Sequence, residues 1–220
     1  MHPVLRLFED TLANTEPVEF RLPQLPRFIF VVHGSATIGD KTVKAGEAWQ
    51  GSGEIVVKAG NDGASCWRWE LSRGDRGATT ANAPGMRTHE KLSAFLETMP
   101  KGDLLMRGDS VAFPPGGCAY THVHQGPGIR CMIEGGICID TRGRSISYGV
   151  GGAWYETGPD PVFARAAEDR SSRFIRVMIL PRALIGKSSI QYVRAEDKDK
   201  PKTQQYKIYA DAPIEFEARK

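Results

Sequence analysis

The chain repeats one pattern of β-forming runs and glycine turns, and this repeat limits its fold more than any other feature of the sequence. Each copy has a β run interrupted by a glycine turn, a second glycine turn before a Trp, and a closing strand. These three landmarks lie at residues 28–38, 45–49 and 64–71 in the first copy, and at 129–139, 150–154 and 173–180 in the second. Because the landmarks recur in the same order, the repeat predicts two homologous β units on one chain.

The distribution of residue types also favours β structure. The 24 Gly and 14 Pro of this 220-residue chain separate many short runs that carry Val, Ile, Phe and Tyr, which is typical of an all-β protein with tight turns. Helical periodicity is convincing only at residues 88–97, where Leu92, Phe95 and Leu96 share one face and Thr88 is a candidate N-cap. The sequence therefore predicts an all-β chain with one short helix between its two units.

Two histidines in the second unit are the strongest candidates for chemistry. His122 and His124 are separated by one residue in a predicted strand, so their side chains point to the same face. Two imidazoles on one face can hold a divalent metal ion, and imidazole suits Fe, Ni, Cu and Zn. The same alternation predicts that Cys118 and Tyr120 lie on that face too.

The residues around this pair resemble the first sequence motif of the cupin family. That motif consists of a glycine, a His-x-His pair, a glutamate and a second glycine. Gly116, His122, His124 and Gly135 fall in register with it, whereas Gly128 stands at the glutamate position. The resemblance implies a cupin barrel whose metal site is incomplete.

Together with the repeat, the resemblance implies a bicupin, that is, two tandem cupin-like β-barrels (double-stranded β-helices) over roughly residues 18–181. A generic β-sandwich whose glycine turns align by chance is the alternative. The predicted domains are a degenerate N-terminal barrel, a linker with the short helix, a C-terminal barrel carrying His-x-His, and a long tail that packs across a barrel or a partner subunit. Their predicted bounds are residues 1–75, 76–101, 102–183 and 184–220.

The resemblance implies four metal ligands, and two of them are missing here. Besides Gly128, the closing His of the second cupin motif falls at Val162 or Phe163, and neither side chain binds metal. A functional site needs about three protein ligands, and the candidate substitutes are Glu156, Asp160, Gln125 and Cys118. Either carboxylate would complete the two-His, one-carboxylate set of non-haem iron enzymes. The alternative is that the histidines are relics, hydrogen-bonded to Tyr120 or to carboxylates.

Three further residues belong to the predicted site. If the cupin register holds, Arg130 and Met132 face the barrel interior and would contact a substrate, and Tyr120 is the candidate proton donor. An unpaired buried charge costs several kcal/mol, so Arg130 needs a partner. The candidate protein partners are Glu134, Glu156 and Asp160. A substrate carboxylate or enolate, held bidentately by the guanidinium, is the other interpretation.

Charge, hydropathy and cysteine usage argue against several classes of protein. A net charge of +3, from 29 basic and 26 acidic residues, gives no electrostatic case for nucleic-acid binding. No apolar run reaches membrane-spanning length, and residues 1–7 are too short and too interrupted for a signal peptide. Four scattered cysteines without a CxxC pair indicate reduced thiols in a cytoplasmic protein.

Cupin-like barrels include metal-dependent dioxygenases, decarboxylases, isomerases and lyases as well as sugar-binding and storage proteins, so fold does not settle activity. The first hypothesis is a cytoplasmic homodimer whose C-terminal barrel acts on a small anionic or aromatic molecule, as a dioxygenase-like or lyase-like enzyme. Fe, Mn, Ni or Zn would be held by His122 and His124 as a Lewis acid or redox centre. The alternative is a metal-free protein that binds a small molecule or serves as a scaffold. A structural partner that docks through its tail is a third option.

Overall fold

A computed structural model of the chain describes residues 2–14, 19–74, 80 and 82–216. The chain divides into two compact units: unit 1 is Met1–Glu97 with Ile214–Lys220, and unit 2 is Thr98–Pro213. Residues 75–79 and 81, which belong to the predicted linker or border it, lie outside the described residues. The predicted bounds of two barrels, a linker and a tail stay a prediction.

The described residues of unit 1 form eight strands in one antiparallel sheet. They are β1 (Pro3–Leu12), β2 (Glu19–Leu22), β3 (Arg27–Ile38), β4 (Lys41–Lys44), β5 (Ala48–Gly51), β6 (Ile55–Arg73), β7 (Asn82–Ala83) and β8 (Met86–Phe95). The sheet order is β4-β3-β6-β1-β8-β7, with β2 paired to β6 and β5 paired to β3. Leu12, Ile29, Val31, Ile38 and Cys66 are among the side chains that build its apolar core.

The helix predicted over residues 88–97 is wrong, because most of that segment belongs to β8. β8 pairs antiparallel with β1, and the pairing runs from Met86 opposite Leu12 to Phe95 opposite Val4. Thr88 is not an N-cap; its hydroxyl donates to the buried carboxylate of Asp10 at 2.8 Å. The hydrogen-bonded ladder with β1 overrides the local helical spacing of the apolar residues. The described residues contain no α-helix, which confirms the all-β class.

Unit 2 holds two five-stranded antiparallel sheets. The strands are β9 (Leu104–Phe113), β10 (Cys118–His124), β11 (Gly128–Glu134), β12 (Gly136–Thr141), β13 (Arg144–Gly149), β14 (Ala153–Glu156), β15 (Val162–Ala166), β16 (Ser172–Pro181), β17 (Ile190–Tyr192) and β18 (Gln205–Ile214). One sheet has the order β13-β12-β15-β10-β17 and the other β14-β11-β16-β9-β18. Two 3-10 turns lie between the last strands, at Arg182–Leu184 before β17 and at Ala195–Asp197 before β18.

Both sheets of unit 2 contribute to one apolar core, as in sheet-on-sheet packing. The residues of this core are Val111, Phe113, Met132, Trp154 and Phe174 from one sheet, and Ala119, Ile137, Ile139, Val162, Ala164 and Ala166 from the other. The predicted tail supplies a strand to each sheet: β17 pairs with β10, and β18 lies beside β9. No helix in the described part of the chain is long and apolar enough to cross a membrane.

The glycine turns of the two repeats adopt the same backbone conformation. Gly34 and Gly135 have φ values of +70° and +73°, and Gly46 and Gly151 have +82° and +80°. A Cβ at Gly34 or at Gly135 would lie 2.1 or 2.2 Å from a carbonyl oxygen of the adjacent segment. Only glycine meets both demands, a left-handed conformation and a close backbone approach. The same backbone requirement therefore explains why glycine stands at Gly34 and at Gly135.

Candidate functional site

A bulge in β10 decides which of its side chains face the interior of unit 2. The pairing of β10 with β15 shifts by one residue between Ala119 and His122, which is the signature of a β-bulge. As a result Ala119, His122 and His124 line the interior cavity. The prediction that Cys118 and Tyr120 share this face is wrong, because the extra residue inverts the alternation before the histidines.

The two histidines are buried and lie against each other. Each is 5% exposed, and their ring centres are 4.9 Å apart at an interplanar angle of 77°. His122 Nδ1 lies 2.7 Å from the carbonyl oxygen of Tyr120, so it donates and leaves Nε2 as a free acceptor. His124 Nε2 lies 3.3 Å from Arg176 Nη1, and Nδ1 lies 3.3 Å from Ser189 Oγ. Because a guanidinium only donates, His124 accepts at Nε2 and donates from Nδ1 to Ser189.

Burial keeps both imidazoles uncharged. It lowers the pKa of His122 below the ordinary value of 6.5, although the carboxylate of Glu156 acts in the opposite direction. The pKa of His124 is lowered much further, first by burial and then by the positive charges of Arg176 and Arg130. At neutral pH the pair therefore consists of two neutral hydrogen-bonding rings.

Arg130 is buried in the facing sheet and lies against the carboxylate of Glu156. Its Nη1 donates to the Gly128 carbonyl at 2.7 Å, and its Nη2 lies 2.6 Å from Glu156 Oε2. Glu156 Oε1 accepts a hydrogen bond from Trp154 Nε1 at 2.9 Å. The close Nη2 and Oε2 atoms are poorly aligned, and neither has a hydrogen-bond partner among the described residues. Burial lowers the pKa of Arg130 to about 10.

A second arginine lies next to the first, and it was not expected from the sequence. Arg176 is directly opposite Arg130 in the β11–β16 pairing and opposite Asp109 in the β9–β16 pairing. Its Nε and Nη2 donate to the two Asp109 oxygens at 2.9 and 2.7 Å. Burial would lower the pKa of Arg176, but the Asp109 carboxylate outweighs it and the pKa is raised. The available signal was a charged residue in the middle of each of two apolar strands, which must find a partner.

Three of the predicted site residues lie away from this cluster. Asp160 forms a surface ion pair with Arg142 at 2.5 Å. The ring of Tyr120 lies 4.9 Å from the ammonium group of Lys200 and is absent from the cavity lining. Met132 is fully buried in the apolar core. Of the three carboxylates considered for Arg130, Glu156 is the one that reaches it.

The donor groups in the cluster do not fit a metal ion. No group of three or more His, Cys, Asp or Glu side chains in the described part of the chain is placed to hold one, whereas a functional centre usually has three protein ligands. Glu156 Oε2 is 4.0 Å from His124 Nε2, but this carboxylate is already engaged by Arg130 and Trp154. The guanidinium of Arg176 contacts the ring nitrogen of His124 that a metal would need, and its charge repels a cation.

Free space lies beside the cluster rather than within it. The interior cavity has about 20 Å³, room for about one water molecule. A more open pocket of about 200 Å³ adjoins it. His124, Arg176, Ile190 and Tyr206 line both spaces. A molecule in the pocket can therefore touch the polar cluster through His124 and Arg176.

Solved structures of cupin-domain proteins resemble this chain. A cupin 2 conserved barrel domain protein from Leptotrichia buccalis matches with a TM-score of 0.50 and 14% identity, over 81% of this chain and 84% of that chain. A deletion mutant of Bacillus subtilis oxalate decarboxylase matches with a TM-score of 0.52 and 14% identity, over 84% of this chain and 69% of that chain. Another oxalate decarboxylase structure matches with a TM-score of 0.56 and 14% identity, over 79% of this chain and 68% of that chain.

Neither a family model nor a curated protein sequence matches the chain. At 14% identity, structural likeness carries information on fold and not on activity. The antiparallel sheets, the inward histidine strand and the likeness to these barrels agree with one another. The chain therefore has the fold of the cupin-domain proteins.

Proposed function

We propose that unit 2 binds a small carboxylate-bearing molecule at Arg176 and the buried histidines, without a metal ion held between them. The observation that supports this most is the position of Arg176. Its guanidinium contacts His124 Nε2 at 3.3 Å and borders the open pocket. A group that attracts anions thus lies where a metal-binding cupin site would need an unoccupied imidazole nitrogen.

The hydrogen-bonding capacity of the cluster supports a carboxylate ligand. Among the described residues, three of the five N–H groups of Arg176 have a partner, two on Asp109 and one on His124. Ser189 accepts from His124, and its own proton faces only the weakly accepting sulfur of Met178 at 3.9 Å. Two N–H groups and one O–H group are therefore left for a ligand, and guanidinium groups bind carboxylates with good geometry.

The charges around the pocket point in the same direction. Its lining includes three basic side chains and one acidic side chain, namely Arg107, Arg176, Lys187 and Asp109. Asp211 neutralises Arg107 through contacts of 3.0 and 2.8 Å. The remaining excess of positive charge favours an anion. Two of the similar structures are named oxalate decarboxylase, so oxalate is a reasonable first probe.

A metal-dependent dioxygenase-like or lyase-like enzyme is the second candidate, and the tautomer of His122 favours it. Metal-bound histidines commonly donate their second ring nitrogen to a carbonyl, as His122 does to Tyr120. This candidate requires a third ligand and a displacement of Arg176 from His124. Fe, Mn, Ni or Zn would be the metal, and the homodimeric state and cytoplasmic location stay predictions in either case.

Titration calorimetry on the tag-free protein separates the two candidates. We expect acetate and oxalate to bind in the presence of a chelator. The pair-neutralising variant Arg176→Gln/Asp109→Asn should lose about tenfold in affinity or more, since hydrogen bonds to charged groups are worth about 1.5–3 kcal/mol. Arg170→Gln, at a surface arginine paired with Asp169, is the control and should bind as the wild type does.

Elemental analysis completes the test. Near-stoichiometric metal in the wild type, lost in the His122→Ala/His124→Ala variant, would overturn the proposal if carboxylate binding also required that metal. His89→Ala, at an exposed histidine of unit 1, controls for adventitious metal binding by imidazole. We expect all three proteins to contain little metal and wild-type carboxylate binding to be unaffected by its removal.

A further inference from the structure

The pocket beside Arg176 has a polar end and an apolar end. At the polar end, Arg176, His124 and Ser189 are 6%, 5% and 4% exposed, so their polar atoms are largely shielded from water. Electrostatic contacts are stronger in such surroundings than at an exposed surface. This end of the pocket can bind one carboxylate group.

The apolar end is formed by side chains of β17 and β18. Ile190 belongs to β17, and Tyr206 and Ile208 lie two residues apart on β18, so the last two share a face. Tyr206 and Ile208 are 49% and 52% exposed, which is high for large apolar residues. The Tyr206 ring also lies 5.8 Å from the guanidinium carbon of Arg176. A ligand that is anionic at one end and apolar at the other would cover these side chains while it contacts the arginine.

The volume limits the size of that apolar part. A cavity of about 150 Å³ is known to hold benzene. The pocket here has about 200 Å³, which leaves room for one ring and a carboxylate. Oxalate or acetate would reach the polar end and leave the apolar end uncovered.

Arg107 makes the pocket a fixed structure. It donates to both oxygens of Asp211, and also to the carbonyls of Lys187 and Leu184 at 2.8 and 2.6 Å. The amide of Gly186 donates to Asp211 at 2.7 Å. These bonds join the loop that carries Ser189 to the strand that carries Tyr206. Because the walls are already in place, little ordering free energy is lost when a ligand binds.

We infer that the ligand is an aromatic monocarboxylate of about the size of benzoate. Its carboxylate accepts hydrogen bonds from Arg176 and Ser189, and its ring lies against Tyr206 and Ile208. This inference rests on the proposed function and specifies its ligand class. Neither the paired histidines nor the fold alone requires an aromatic group.

The inference is tested by calorimetric titration of the tag-free protein with benzoate, acetate and benzamide. Acetate lacks the ring, and benzamide keeps the ring but lacks the charge. We expect benzoate to bind at least about tenfold more tightly than either, because acetate lacks the apolar contacts and benzamide lacks the charge that strengthens the hydrogen bonds. Oxalate, with two charges and no ring, should resemble acetate.

Two matched substitutions locate the ring. Ile208→Asp places a negative charge at the apolar end and should weaken benzoate binding about tenfold or more while changing acetate binding less. Ile146→Asp makes the same change at a similarly exposed isoleucine of β13, 45% against 52% exposed, outside the pocket lining. This control should bind benzoate as the wild type does. Both positions are on exposed strand faces, so both variants are expected to fold.

The outcomes distinguish the inference from the proposal on which it rests. If acetate and oxalate bind as tightly as benzoate and Ile208→Asp has no effect, the aromatic assignment is wrong and carboxylate binding stands. If benzamide equals benzoate, or if no carboxylate binds to a folded wild-type protein, the proposed function fails as well. Equal losses of benzoate affinity in Ile208→Asp and Ile146→Asp would show that the ring of benzoate does not bind in this pocket.

Discussion

Arg130 and Arg176 both lie in the interior of unit 2, each beside one carboxylate, and removing only one partner of such a buried pair is costly. In Arg130→Met, the carboxylate of Glu156 keeps its bond from Trp154 but loses the charge 2.6 Å away. We expect the free energy of unfolding to fall by about 3–5 kcal/mol. The double variant Arg130→Met/Glu156→Gln removes both charges of this pair and should recover most of that loss. Urea denaturation followed by Trp fluorescence measures both.

A surface pair provides the control for this prediction. Arg142→Met breaks the ion pair with Asp160, in which both side chains are substantially exposed. It should lower the free energy of unfolding by about 1 kcal/mol or less. If Arg130→Met were as mild as Arg142→Met, or if the double variant were as unstable as Arg130→Met, the pair would not be energetically coupled.

The histidines predict a specific dependence of stability on pH. Their pKa values are lowered in the folded protein, so below about pH 6.5 the unfolded chain binds more protons than the folded one. The free energy of unfolding should therefore decrease as the pH falls from about 6.5 toward 5, before most carboxylates titrate. His124→Gln should flatten this dependence, whereas His89→Gln, at an exposed position, should leave it unchanged. A dependence unaffected by His124→Gln would contradict the assignment.

At the scale of single strands, Gly128 shows why the glutamate of the cupin motif has no place here. A Cβ at this position would lie 2.3 Å from the Val177 carbonyl oxygen and 2.8 Å from Met178 Cγ. Gly128→Ala should force β11 and β16 apart and destabilise the protein by about 1–3 kcal/mol. Gly149→Ala, where a Cβ meets no atom within 4 Å, is the matched control. Thermal unfolding compares the two variants. Equal melting temperatures would show that β16 can move away from an added Cβ at residue 128 without loss of stability.

Strand pairing also explains which features were predictable from the sequence. The all-β class and the glycine turns follow from the β-forming runs and the glycines between them, and the inward side of Arg130 follows from the cupin register. The helix predicted at residues 88–97 is wrong because this segment pairs with β1. The side predicted for Tyr120 is wrong because of the bulge in β10. Neither the pairing nor the bulge can be recognised from the spacing of residues along the sequence. The Arg176–Asp109 pair joins residues 67 positions apart. Only the rule that a charge inside an apolar strand needs a partner could have suggested that pair.

The pairing refines the internal repeat as well. Ile29 is opposite Arg68 in unit 1, and Arg130 is opposite Arg176 in unit 2. The two closing strands therefore correspond through Arg68 and Arg176, one residue away from the correspondence expected by matching residues 64–71 with 173–180. A one-residue difference in loop length is invisible to composition, but it moves every side chain of a strand to the other face.

At the scale of the whole chain, the equivalent arginines differ in how completely they are engaged. Arg68 lies 2.6 Å from Asp10 and 2.7 Å from Glu70, and its guanidinium stacks on the Phe8 ring at 4.4 Å. Among the described residues, Arg176 forms an ion pair with one carboxylate, that of Asp109, and it borders the open pocket. Arg68 is fully buried between these groups, which leaves it a structural role. Arg176 retains donors, so we assign ligand binding to unit 2 and not to unit 1.

This assignment predicts where a ligand changes the dynamics of the chain. At a benzoate concentration of about 100 times Kd, openings that abolish binding become less favourable by about 2.7 kcal/mol, so amide hydrogen exchange through them slows by up to about 100-fold. We expect this protection in β9, β10, β16 and β18, whose side chains line the pocket or the adjoining cavity. Exchange in β1, β3 and β6 should not change, and Ile208→Asp should reduce the protection about tenfold or more at the same benzoate concentration. Protection that appeared mainly around Arg68 would place the ligand in unit 1 and reverse the assignment.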